Sequence, residues 1–216
     1  MSVDPLRHRL STEGFVRLQG VFSPAHLADI DALLNAGLAA HPAPVRDRWG
    51  TELVPLYDHA PEMARHLEGA PLLEALAPVL GGPVVQLQAA ARFTGLGDGG
   101  FLPWHFHAPG GGGDGRWDPD RPGAPTGIEA VIVCAYADGA SPERGPVWLL
   151  PRGVTDPYTP PSLDRTARWP GTREQLLDPG DVLVFTLPSY HAAWCHKGPR
   201  RIFGGVYARA DGAPCA

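Results

Sequence analysis

The chain has few cysteines, no long apolar run and no cluster of basic residues. Its three cysteines, Cys134, Cys195 and Cys215, are odd in number and lack the paired spacing of a zinc site. No window approaches the roughly 20 apolar residues of a membrane span. The polar N-terminus also lacks the apolar stretch of a signal peptide. These absences favour a protein of the reducing cytoplasm.

The net charge and its distribution indicate which kinds of partner the protein binds. The net charge is −5, and no stretch concentrates lysine or arginine. We therefore expect neither nucleic acid nor an acidic membrane surface as a partner. The 216 residues, 44% of them hydrophobic, can bury a substantial core, and we expect one domain over residues 1–216. The expected partner is a small-molecule substrate, and the sequence gives no sign of an oligomeric state.

Glycine (27 residues) and proline (25 residues) are abundant, and they lie between apolar runs as turn signals for many short strands. Two helices are predicted first, over residues 24–40 and 71–80, where leucine and isoleucine recur at helical spacing. About eight strands are expected, including segments 14–18, 128–137, 145–151, 180–187 and a last strand ending at 206–208. The predicted fold is mainly β: a double-stranded β-helix (jelly-roll, cupin-like) barrel over 83–209, with a helical flank over 1–82.

The histidines suggest a metal site. His105 and His107, in the run Trp104-His105-Phe106-His107, would share one face of an extended strand. His191 follows a strongly apolar strand and could supply a third ligand, with His196 as a competitor. Three such ligands form a facial triad that leaves coordination positions open to small molecules.

Other polar and aromatic residues are candidates for a pocket. Gln86, Gln88 and Arg92 share one parity, which fits either a polar interior or a solvent-facing edge. Trp104, Tyr136, Trp148 and Trp194 lie near the histidines in sequence and fit either a pocket wall or plain core. The loop 109–127 is a candidate lid.

Several segments together resemble the phytanoyl-CoA dioxygenase-like members of the iron- and 2-oxoglutarate-dependent oxygenases. These are residues 13–24 (EGFVRLQGVFSP), Trp104-His105, residues 145–151 (GPVWLLP), residues 179–185 (PGDVLVF), His191 and Arg200-Arg201-Ile202. The resemblance implies that His105 and His191 are iron ligands and that Fe(II) and 2-oxoglutarate are cofactors. It implies that Arg200, or else Arg201, binds 2-oxoglutarate through a planar fork suited to a carboxylate. Gln88 is a further candidate for cofactor binding.

One residue departs from the family pattern. The family has His-x-Asp or His-x-Glu, whereas here the acidic position holds His107. Related halogenases replace the acid with a small residue, so histidine does not favour halogenation. Three hypotheses follow: a neutral three-histidine site, a weak site of His105 and His191 alone, or a scaffold without catalysis. The function expected from the three-histidine site is that of a 2-oxoglutarate-dependent oxygenase. The alternative functions are a three-histidine dioxygenase or isomerase that does not use 2-oxoglutarate, and a non-catalytic binding protein on the same fold.

Overall fold

A computed structural model describes residues 4–41, 45–47, 50–95, 100–107, 130–153, 160–195 and 199–212. The side chains of residues 45–47, 100–101 and 194–195 lie outside that description, as do the predicted lid and His196. Among the residues described, none of the helices combines the length and the apolar character needed to cross a membrane.

The helices begin and end at recognisable signals. α1 (Pro5–Glu13) is capped by the Asp4 carboxylate and ends at Gly14, whose φ is 83°. α2 (Pro24–Ala40) has the predicted bounds and begins at the Ser23 cap. The short α3 (Ala64–Leu67) precedes α4 (Ala70–Leu80), which begins one residue before its predicted start. α1 and α3 are not among the predicted helices, because too few apolar residues recur in them.

Eleven strands are described. They are β1 (Phe15–Leu18), β2 (Val45–Asp47), β3 (Gly50–Leu53), β4 (Val84–Thr94), β5 (Gly100–His105), β6 (Ala130–Tyr136), β7 (Val147–Leu149), β8 (Arg173–Gln175), β9 (Val182–Thr186), β10 (His191–Cys195) and β11 (Arg200–Arg209). β2, β3 and β8 are short and are not predicted from the sequence. The region before residue 83 thus contains two unpredicted strands, β2 and β3, besides the predicted β1 and the helices.

The strands form two antiparallel sheets. The major sheet has the order β1-β9-β6-β11-β4-β3-β2, and the minor sheet has the order β5-β10-β7-β8. Strands distant in sequence are neighbours within both sheets, as in a jelly roll. The fold class predicted from the sequence is confirmed.

Alternation along the major sheet separates two apolar regions. One face, with Val131, Val133, Val184 and Phe203, packs against the helices. The other face, with Tyr136, Leu183 and Phe185, packs against Leu149 and Val147 of the minor sheet. We call this second region the barrel interior. It is the space between the sheets in which a site can be enclosed.

A bulge in β4 changes the predicted parity. Val206 of β11 pairs with Gln88, but the next residue, Tyr207, pairs with Gln86, so Leu87 is the extra residue. Gln86 consequently faces the helices, where it donates to the Tyr207 hydroxyl (2.7 Å) and accepts from the Tyr57 hydroxyl. The prediction that Gln86 lines the same interior as Arg92 is wrong for this reason.

Candidate metal centre

His105 and His191 lie opposite each other on neighbouring strands of the minor sheet. They are direct partners in the β5–β10 register, and their ring centroids are 4.0 Å apart. His191 is buried at 7% exposure and also pairs with Leu149 of β7. Its ring contacts Phe185 of the major sheet, at 4.8 Å between centroids. Both imidazoles therefore belong to the barrel interior.

The orientation of these two rings is fixed by backbone carbonyls. Nδ1 of His105 lies 2.8 Å from the Pro103 carbonyl, and Nδ1 of His191 lies 3.0 Å from the Ser189 carbonyl. Each bond joins a histidine to the residue two positions earlier. If Nδ1 carries the proton, Nε2 is the atom left to bind a metal.

His107 completes the cluster from just beyond the end of β5. Its backbone N–H donates to the Leu187 carbonyl (2.9 Å), which holds the chain extended past His105. Its ring centroid lies 5.4 Å from that of His105 and 5.1 Å from that of His191. The candidate ligand nitrogens of the three histidines lie within 4.8 Å of one another. The structure thus brings together the three ligands predicted from the sequence.

Burial keeps these imidazoles neutral at neutral pH. It lowers the pKa of His105 to about 4. Repulsion from the charges of Arg165 and Arg92, and from His107 when it is protonated, acts in the same direction, while the bond to Pro103 acts against it. Burial also lowers the pKa of His107, and it lowers that of His191 well below its usual value. A neutral imidazole is the form that binds metals.

The two candidate arginines have different surroundings. Arg200 is buried at 7% exposure, and its guanidinium lies 5.6 Å from the centre of the Tyr136 ring. Nε of Arg200 has no hydrogen-bond partner among the described residues, and Arg200 and the Val147 backbone, near the Tyr136 hydroxyl, lower the pKa of Tyr136 against the larger effect of burial. Arg201 points away, pairing with Asp31 of α2 and with Asp138 (2.6 Å). Of the two, only Arg200 faces the barrel interior.

Two aromatic residues predicted to line the pocket lie on the other side of the minor sheet. Trp104 stacks on Trp169 at 4.6 Å, and both pack with Trp148 and Tyr190 in a separate cluster. Alternation causes this placement, because Trp104 precedes His105 and Trp148 precedes Leu149. The prediction that Trp104 and Trp148 line the pocket is corrected accordingly. Trp194 belongs to β10, but its side chain lies outside the described residues.

The remaining polar candidates divide between interior and solvent. Arg92 is the register partner of Ile202, which packs against the barrel interior, so Arg92 lies on the same side of the sheet. The Arg92 guanidinium lies 3.0 Å from the Glu52 carboxylate. Gln88 is exposed, which matches the solvent-facing alternative. Tyr136 is 2% exposed in the interior beside Arg200. The interior therefore holds Arg92, Tyr136 and Arg200 from the predicted set.

Two residues near the histidines are not predicted. The buried Ser189 hydroxyl lies 2.8 Å from that of Thr186 and donates to the Gly14 carbonyl (3.1 Å), fixing the turn before His191. Arg165 donates from Nε to the Trp104 carbonyl (2.7 Å), beside His105. Neither residue belongs to a periodic pattern, and Arg165 is 60 residues from His105 in the chain, so the sequence offers no signal for them.

Comparison with known proteins establishes the fold. No family model and no curated protein sequence matches the chain. Among solved structures, the non-haem α-ketoglutarate-dependent epimerase SnoN from nogalamycin biosynthesis is 18% identical, with a TM-score of 0.70 over 95% of this chain and 82% of that one. EvdO2 from Micromonospora carbonacea var. aurantiaca, complexed with 2-oxoglutarate, is 17% identical, with a TM-score of 0.68 over 96% and 90%. HygX from Streptomyces hygroscopicus, with nickel and 2-oxoglutarate bound, is 18% identical, with a TM-score of 0.67 over 97% and 88%.

Proposed function

We propose that the chain is a non-haem iron, 2-oxoglutarate-dependent oxygenase of the phytanoyl-CoA dioxygenase-like type. It acts on a small-molecule metabolite in the cytoplasm through His105, His107 and His191. The observation that carries the proposal is the convergence of three neutral imidazoles inside a jelly-roll barrel. Solved structures of the same fold include enzymes with bound iron or nickel and 2-oxoglutarate, which supports this choice of cofactors.

The three histidines fit a divalent metal. Their donors are nitrogens, their pKa values are lowered, and two of the rings are already oriented by backbone carbonyls. Nitrogens that share one ion at about 2.1 Å lie at most about 4.2 Å apart, so a small rotation of the rings suffices from the observed 4.8 Å limit. Imidazole suits iron, nickel, copper and zinc, so the donor set alone does not select among them.

Arg200 and Tyr136 fit the distal carboxylate of 2-oxoglutarate. Each places a buried donor in the interior, and Nε of Arg200 has no partner among the described residues. A buried polar group without a hydrogen bond is costly, and a carboxylate would accept from both. The guanidinium would supply the positive charge, and the Tyr136 hydroxyl would add a neutral donor.

The chain itself contributes orientation and exclusion of water. Iron with 2-oxoglutarate would supply the activation of dioxygen, which oxidises 2-oxoglutarate to succinate and carbon dioxide and also oxidises an organic substrate. Ser189 and Pro103 hold the rings of His191 and His105 through their carbonyls. Phe185 and its apolar neighbours keep water from the interior behind the histidines, which strengthens every polar contact there.

A second function is favoured by one specific observation. His107 replaces the acidic ligand of the resembled family, and a neutral three-histidine site is also found in cupin-type dioxygenases and isomerases that act directly on their substrates. Turnover that continues without 2-oxoglutarate, and that survives Arg200→Ala, would identify this class.

The test of the proposal is metal content measured ligand by ligand. His105→Ala, His107→Ala and His191→Ala should each lose most of the iron bound by the wild type and most of its 2-oxoglutarate consumption. His8→Ala, which changes an exposed histidine on α1, should lose neither. Undiminished iron in the three variants would show that the site is wrong. A wild type that binds no metal, and whose stability chelator leaves unchanged, would indicate the binding-protein alternative.

His107→Asp tests the same position by replacing the imidazole with a different metal-binding group. A carboxylate in this position would restore the ordinary family ligand and add one negative charge at the metal. We expect the variant to bind iron and to consume 2-oxoglutarate at least as fast as the wild type. Loss of both, with the fold intact by circular dichroism, would contradict the assignment of His107 as a ligand.

A further inference from the structure

Two arginines beside the histidines, Arg165 and Arg200, have no carboxylate partner among the described residues. In the described part of the chain, most arginines pair with a carboxylate, and these are Arg9, Arg17, Arg65, Arg92, Arg168, Arg173, Arg201 and Arg209. Arg165 has no such pair, and its hydrogen bond is to a carbonyl. Arg200 also lacks one and is assigned above to 2-oxoglutarate. Of the others without one, Arg7 lies against Gly81 and Arg144 contacts the Asp138 carbonyl.

Arg165 is held at the edge of β5 by two bonds to a single residue. Its carbonyl accepts from the Trp104 N–H (3.0 Å), and its Nε donates to the Trp104 carbonyl (2.7 Å). Trp104 is the residue immediately before His105, so the half-buried guanidinium is fixed beside the first candidate ligand. The positive charge of Arg165 lowers the pKa of His105, as does that of Arg92. The two terminal nitrogens of Arg165 remain for a further acceptor.

The charge of the described site is strongly positive. The three histidines bring no negative charge, so a divalent ion keeps its full charge, unlike in a site with an aspartate ligand. Arg165 and Arg200 add two positive charges, while Arg92 is balanced by Glu52. The two carboxylates of 2-oxoglutarate neutralise only part of this total. An environment of this kind favours a further anion.

On the premise of the proposed function, we infer that the substrate carries a carboxylate or phosphate group that Arg165 binds beside the three histidines. The guanidinium presents a planar fork that matches either group with two parallel hydrogen bonds. Arg165 is then a specificity-determining residue: it selects anionic metabolites and orients them toward the metal. Neutral molecules of the same shape are excluded, because they leave its charge without compensation.

The test uses protein loaded with nickel(II) and 2-oxoglutarate, titrated calorimetrically with benzoate, phenyl phosphate and the neutral benzamide. One or both anions should bind at least about tenfold more tightly than benzamide, the value of one charge-assisted hydrogen bond. The preferred anion identifies the substrate group. Arg165→Gln should lose about the same factor for the anion only, and Arg165→Lys should recover part of it. Arg168→Gln is the matched control, because Arg168 lies three positions after Arg165 in the same described segment and pairs with Glu174 instead.

Several results would overturn this inference. Equal affinity for benzoate, phenyl phosphate and benzamide in the wild type would do so. An equal loss of anion affinity in Arg165→Gln and Arg168→Gln would also do so. A selective loss of 2-oxoglutarate affinity in Arg165→Gln, with the anions unaffected, would assign Arg165 to the co-substrate. Failure of the proposed function looks different: the wild type would then bind no nickel or no 2-oxoglutarate, and the anion titrations could still be performed without them.

Discussion

Replacing Arg200 by methionine should separate cofactor binding from stability. The guanidinium is buried, its Nε has no partner among the described residues, and in that part of the chain no carboxylate pairs with it, so the protein without co-substrate carries a desolvation cost at this position. Its contact with the Tyr136 ring offsets part of that cost, by about 0.5–2 kcal/mol. Replacing a buried ion pair by apolar residues of similar volume is often neutral or stabilising by about 1–4 kcal/mol, and the same desolvation argument applies to this single buried charge. We therefore expect the melting temperature without co-substrate to stay unchanged or to rise by about 2–4 °C.

The affinity for 2-oxoglutarate should change in the opposite direction. Two charge-assisted hydrogen bonds contribute about 1.5–3 kcal/mol each, and about 1.4 kcal/mol corresponds to a factor of ten. Arg200→Met should thus weaken 2-oxoglutarate binding by about 100-fold or more, measured calorimetrically on nickel-loaded protein. Arg201→Met is the control, because it removes the pairs with Asp31 and Asp138. It should lower the melting temperature by a few degrees and leave the affinity unchanged. Unchanged affinity in Arg200→Met, or a loss in Arg201→Met, would refute this assignment.

Three further predictions follow from single contacts. Burial raises the pKa of Cys134 to about 12 although the residue is only half-buried, so iodoacetamide at pH 8 should react with this thiol much more slowly in the native protein than after unfolding. Native labelling at the rate of free cysteine would contradict the raised pKa. Ser189→Ala removes the hydroxyl bonds of the turn before His191. It should lower the free energy of unfolding in urea by about 1–2 kcal/mol and weaken metal binding by about tenfold or more. An unchanged metal affinity would show that the turn does not position the His191 ring. Gly204→Ala would bring Cβ within 1.9 Å of a carbonyl oxygen of the neighbouring strand and should prevent folding. Gly20→Ala, with no atom within 4 Å of the added Cβ, should cost only about 1 kcal/mol for its positive φ. Comparable unfolding midpoints for the two variants would contradict the described register.

Two of the candidate metal ligands can be predicted from the sequence, because alternation along a strand is a local property. The spacing of His105 and His107 places both rings on one side, and the same rule places Trp104 on the other. The pocket assignment of Trp104 was therefore wrong for a reason present in the sequence. His191 depends on strand pairing over a long separation, so its position after an apolar strand makes it a candidate, and the ordered resemblance to a family favours it over His196.

Other features depend on tertiary contacts that no local pattern encodes. The bulge at Leu87 reverses the parity of β4, so Gln86 and Arg92 face opposite sides despite their even spacing. The roles of Arg200 and Arg201 are distinguished by Asp31 on α2, whose position relative to β11 is set by packing. Arg165 reaches the site from a segment without regular secondary structure, which gives it no periodic signal.

The most direct test of the three-histidine oxygenase is an anaerobic titration of the purified protein with ferrous iron, followed by 2-oxoglutarate, while visible absorption is recorded. The account predicts about one iron per chain, bound through the three imidazoles, and a new metal-to-ligand band when 2-oxoglutarate is added. The band should be absent in His105→Ala and present in His8→Ala. Iron that binds without a band would contradict the use of 2-oxoglutarate, and a wild type that binds no iron would contradict the metal centre itself.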